Sequence, residues 1–100
     1  MTKSEKNKMP RRLVATFDGR VQGVGFRFTT VEIARGFAVT GYVQNMMEGS
    51  VRLVAEGEEE ELTRFLNALR DSHIFRYVTR EDLSWPTATG EFDSFVIRYS

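Results

Sequence analysis

The stretch Gly19-Arg20-Val21-Gln22-Gly23-Val24-Gly25-Phe26-Arg27 constrains this chain more than any other. It follows a short apolar run, Leu13 to Phe17, which reads as a strand. It precedes Phe28 to Gly36, which reads as a helix. A strand-to-helix turn with three glycines can bend tightly and bring backbone amides close to a ligand. The first amides of a helix lack intrahelical partners and sit at the positive end of its dipole. Such a turn is a ready anion site, with phosphate the usual occupant. Arg27 at its exit would add a planar fork of donors matched to two phosphate oxygens.

Better-known phosphate motifs do not fit. Gly23-Val24-Gly25 begins like a dinucleotide fingerprint, but the glycine required at position 28 is Phe28. No Gly-Lys-Ser/Thr follows, so the stretch is not a Walker A loop. The plain alternative is a structural turn with Arg27 in a surface ion pair.

Val39 to Asn45 and Val51 to Ala55 read as strands joined by a hairpin turn at Met46-Met47-Glu48-Gly49. Val51, Leu53 and Ala55 alternate towards one face. Glu58 to Glu61 open a second helix, where carboxylates suit the positive dipole end. Leu62, Phe65, Leu66 and Leu69 form its apolar stripe. On the first helix, Phe28, Val31, Ala34 and Phe37 are expected on the buried side. Leu13 to Phe17 is not expected to alternate cleanly. Tyr77 to Trp85 reads as a fourth strand and Phe92 to Tyr99 as a last one.

The order predicts an α+β fold: a ferredoxin-like βαββαβ sandwich, two helices on one face of an antiparallel sheet, with an additional C-terminal strand. In that topology the first two strands run parallel with the third between them. Their C-terminal ends share one sheet edge, so the glycine turn and Asn45 should converge.

The 100 residues suit one domain, expected over 11–100. Residues 1–10, with Lys3, Lys6 and Lys8, read as a disordered polar tail, and less readily as an arm for an acidic partner. The 14 basic and 14 acidic residues cancel, which argues against a general nucleic-acid binder. There is no cysteine, hence no disulfide or thiolate nucleophile. Neither a secretory leader nor a membrane span is expected, and a cytoplasmic location is the default. No long exposed apolar stripe demands a partner, so a monomer is expected.

The candidate site is chemically sparse. It holds Arg27 and Asn45, with no histidine, cysteine or paired carboxylate. The lone His73 follows the second helix and reads as a surface residue. The glutamates at 58–61 spread around their helix and make no cation site, so no metal or cofactor is expected. A clamp and a water-positioner suffice only where the leaving group is good, because phosphoryl transfer through a loose transition state needs mainly positioning and charge stabilisation. A carboxylic-phosphoric anhydride fits: its carboxylate leaves without a general acid.

Two blocks carry a family resemblance. Gly19-x-Val21-Gln22-Gly23-Val24-x-Phe26-Arg27 resembles the signature of the acylphosphatases. Gly41-Tyr42-Val43-Gln44-Asn45, followed by Gly49, Val51 and Gly57, resembles their second signature. The resemblance implies hydrolysis of a small-molecule acyl phosphate to carboxylate and inorganic phosphate without metal. It implies that Arg27 and the backbone amides of Arg20, Val21, Gln22, Gly23, Val24 and Gly25 hold the phosphoryl group. Asn45 would orient the water, and the substrate's own phosphoryl oxygen would take the proton. Phe17 stands where the family usually has a branched aliphatic residue, and Tyr42 replaces the commoner Trp; neither touches the implied chemistry. A catalytically silent phosphate-binding or regulatory module of the same fold is the alternative. A more distant rival is RNA recognition, since Arg35 to Tyr42 is similar to an RNP1 motif, although its central aromatic is replaced by Val39 and it falls on the wrong strand.

Overall fold

The computed structural model describes residues 9–99. The expectation of a disordered tail therefore lies, for residues 1–8, outside the described residues. Five strands form one sheet: β1 (Arg11–Gly19), β2 (Thr40–Asn45), β3 (Val51–Gly57), β4 (Val78–Ser84) and β5 (Phe95–Arg98). Their spatial order is β4-β1-β3-β2-β5. The helices are α1 (Phe26–Ala34) and α2 (Glu59–Arg70), and a 3-10 turn (His73–Tyr77) leads into β4.

The βαββαβ portion is antiparallel, with β3 between β1 and β2. The sheet as a whole is mixed, because the additional strand β5 joins parallel to β2, pairing Val43 with Ile97. The cause is the connection from β4. It crosses the sheet from one edge to the other before the chain enters β5, so β5 meets β2 from the far side.

β1 alternates strictly, contrary to the sequence expectation. Leu13, Ala15 and Phe17 are buried, while Arg12, Val14 and Thr16 on the other face are half-buried. Only one face of β1 is covered by helices, and that imposes the period of two. Val51, Leu53 and Ala55 of β3 and Val43 of β2 complete the buried side of the sheet. Against it α2 lays Leu62, Phe65, Leu66 and Leu69, all buried, the stripe its spacing predicts. The ring of Phe17 packs on Phe26 at 5.5 Å and edge-on to Phe75 at 5.7 Å.

Val31 and Ala34 of α1, and Phe37 just beyond it, pack against the core as expected, but Phe28 does not. Phe26, Thr30 and Ala34 face the core, Val31 and Phe37 are half-buried, and Phe28 is 65% exposed. The helix begins two residues earlier than its apolar pattern suggests, because Gly25 (φ 82°) turns the chain directly into Phe26. The Thr30 hydroxyl then donates to the Phe26 carbonyl (2.8 Å), so this polar side chain is satisfied inside the helix. No helix among the described residues is long and apolar enough to cross a membrane.

Candidate active site

The glycine turn leaves β1 and enters α1 at the sheet edge where β2 also ends. Gly25 provides no side-chain cap, and the first turn of α1 carries no acidic residue. Helix geometry therefore leaves the amides from Gly25 to Phe28 without intrahelical acceptors, at the positive end of the dipole. Beside them lies a cleft of about 250 Å³. Gly23, Gly25, Arg27 and Asn45 line it, together with the apolar Val21, Phe26, Phe28 and Ile97 and the aromatic Tyr99.

Arg27 and Asn45, predicted to converge from topology, thus share one cleft. Arg27 makes none of the ion pairs found among the described residues, which removes the plain surface-pair alternative there. Its guanidinium instead lies 5.3 Å from the centroid of the Tyr99 ring. Asn45 closes β2, and its side-chain Oδ1 is buried with no hydrogen-bond partner among the described residues. A buried acceptor left unpaired costs folding free energy, and an occupant of the cleft that donates a hydrogen bond would relieve that cost.

The loop is held by a residue whose side-chain role sequence reasoning missed. Gln22 Nε2 donates to the Met46 carbonyl (2.8 Å) and to the Ser50 carbonyl (2.9 Å). The turn before α1 is thereby tied to the β2–β3 hairpin that follows Asn45. Its side-chain Nε2 is committed to that bridge. Val24 packs partly against the core. Of the expected cradle residues, Val21, Gly23 and Gly25 line the cleft and Arg20, Gln22 and Val24 do not; Arg20 is exposed and its amide donates to the Tyr77 carbonyl (3.1 Å). The cause is the end of β1, where the turn has not yet swung away from the start of β4. Tyr99 and Ile97 were also missed as cleft residues. Only the parallel pairing of β5 with β2 brings them there, and local periodicity carries no signal for that.

His73 is exposed at the start of the 3-10 turn. Among the described residues, no three His, Asp or Glu side chains gather as a metal ion would need.

Comparison with known proteins decides the family. The family model for acylphosphatase matches residues 13–97. This chain belongs to the acylphosphatase family. Among curated acylphosphatases, that of Salinibacter ruber is 41% identical over 88 residues, spanning 88% of this chain and 93% of its own. That of Thermotoga maritima is 43% identical over 82 residues, spanning 82% and 90%. The crystal structure of the acylphosphatase from Bacillus subtilis superimposes with a TM-score of 0.81 at 33% identity, covering 91% of this chain and 100% of that one. Acylphosphatase membership also accounts for the RNP1-like segment. Arg35 caps the end of α1, Val39 is buried, and Gly41 begins the approach of β2 to β3, where a Cβ would collide with the Val54 carbonyl. The likeness reflects close strand packing, and no exposed aromatic platform occupies it.

Proposed function

We propose that this acylphosphatase hydrolyses acyl phosphates with Arg27 and the free amides of the glycine turn as the phosphate cradle and Asn45 as the residue that orients water. One observation carries the reading: a cleft that unites an arginine in no ion pair among the described residues, a helix N-terminus and a buried, unpartnered amide oxygen. The guanidinium fork and the amides match the equatorial phosphoryl oxygens, where charge spreads in a loose transition state. Asn45 Oδ1 accepts a hydrogen bond from the attacking water and aims its lone pair at phosphorus.

The step balances without a protein base. The water oxygen forms a bond to phosphorus as the bond from phosphorus to the bridging acyl oxygen breaks. The electron pair leaves with the carboxylate, and a phosphoryl oxygen accepts the water proton. The products are one carboxylate and one dihydrogen phosphate ion, which together carry the two charges of the substrate. A carboxylate is a stable leaving group, so this substrate class needs no general acid; a phosphate monoester would need one.

Phosphate release from benzoyl phosphate, with and without EDTA and beside Arg27→Ala, tests the reading. Hydrolysis that ignores EDTA and collapses in the variant supports it. Turnover no faster than spontaneous decay, from folded protein, favours the silent binding module.

A further inference from the structure

We propose that Phe28 and Tyr99 form an acyl-binding wall that selects acyl phosphates with aromatic or bulky apolar acyl groups over acetyl-sized ones. This rests on the phosphate site argued above and assigns the other half of the same cleft. Phe28 is 65% exposed and Tyr99 75% exposed, yet both line the cleft. Large apolar side chains left in water at a concave polar site are the informative exception to burial. The start of α1 explains why Phe28 is free. Phe26 has taken the core position, and Phe28 stands two residues further round the helix, away from the buried line of Phe26, Thr30 and Ala34.

Connectivity sets the distance. The acyl carbon is two bonds from phosphorus, so a phosphoryl group held by Arg27 brings the acyl group against Arg27's immediate neighbours. Those are Phe28, which lines the same cleft, and Tyr99, whose ring lies under the guanidinium. The half-buried Ile97 extends the apolar side. The polar end of the cleft is assigned to phosphate and water, and among the described residues no further charged side chain lines the remainder. A phenyl or branched alkyl group would bury area there that a methyl group cannot.

The ratio of kcat/KM for benzoyl phosphate to that for acetyl phosphate reads the wall. In the full chain the ratio is expected to exceed one. Phe28→Ala is expected to lower it about tenfold, while Phe28→Leu keeps most of it. Phe28 is exposed, so the variants should fold as the parent does. A parallel calorimetric comparison of benzylphosphonate with methylphosphonate needs no turnover, and the same preference and the same loss in Phe28→Ala are expected. A ratio changed less than twofold by Phe28→Ala, with the phosphonate preference also unmoved, overturns the wall. If neither acyl phosphate is turned over but the phosphonate preference is present and lost in the variant, the hydrolytic reading falls and the wall stands.

Discussion

In the proposed reading Arg27 acts on the phosphoryl oxygens and Asn45 on the attacking water, so their substitutions should separate. As the proposed clamp, Arg27 would supply charge and two aligned donors, both more useful as charge spreads over the equatorial oxygens. Arg27→Ala is expected to reduce kcat/KM about 10²- to 10³-fold, the usual loss for one transition-state donor. Arg27→Lys should recover little, because a point charge lacks the fork. Near-normal turnover in either variant contradicts the clamp. If Asn45 only orients water, as proposed, Asn45→Ala should lower kcat and largely spare KM. Its Oδ1 is unsatisfied in the folded state, so thermal stability should hold or rise in that variant. A change in KM alone would count against the water role. That the two residues converge on one cleft was legible in the sequence, because a strand end and a glycine turn fix their positions through topology. Phe28 was misread as core: an aromatic residue near a helix start looks buried until the first helical residue is known, and a two-residue shift moves it to the opposite side.

Among elements, the link between the glycine turn and the β2–β3 hairpin holds the two halves of the site in register. Gln22 makes that link with two hydrogen bonds. Gln22→Ala removes both, yet the Met46 carbonyl still accepts from Gly49 and the Ser50 carbonyl from Met46. Stability should therefore fall by only about 1 kcal/mol. The loss of preorganisation between cradle and water-positioner is expected to cost on the order of tenfold in kcat/KM, since small misplacements are expensive in positioning catalysis. Kinetics measured beside chemical denaturation check the pair; a large stability loss with proportional activity would make Gln22 a structural residue alone. Legibility at this scale divides sharply. α2 announces itself through Leu62, Phe65, Leu66 and Leu69, because its helical period and its buried face coincide. α1 has Thr30 at the centre of its buried line, so its apolar pattern is only partly legible: Val31, Ala34 and Phe37 pack on the core as expected, and Phe28 does not. β5 is recognisable as a strand, but its partner is chosen by the path of the chain before it.

That path ties the whole molecule together on the sheet face that carries no helix. The connection from β4 to β5 crosses there and is fastened to Glu56, which is 4% exposed. The Glu56 carboxylate accepts from Arg12 Nε (2.7 Å), the Thr89 amide (2.9 Å) and the Gly90 amide (3.0 Å). Phe92 from the same connection meets the Tyr42 ring, and Arg12 lies over Phe92. Burial alone would push the Glu56 carboxyl up, but the Thr89 amide, the Arg12 guanidinium and the Gly90 amide outweigh it and hold it below its ordinary value. A carboxyl depressed in the folded state binds its proton more readily when unfolded. Its stabilisation is complete above the unfolded value and is lost as pH falls through the folded one. At neutral pH, Glu56→Gln leaves Arg12 without its buried partner and one amide short of an acceptor. That is worth about 1–3 kcal/mol, a fall in Tm on the order of 10 °C for a chain of this size. As pH drops below the carboxylate range the parent loses the same anchor by protonation, and the variant has none to lose. The two Tm curves, measured by circular dichroism from pH 7 to pH 3, should therefore converge on the acid side. Curves that run parallel throughout would mean that Glu56 fastens the strap through packing and not through its charge, and the strap's hold on β5, Ile97 and Tyr99 would then be insensitive to acid.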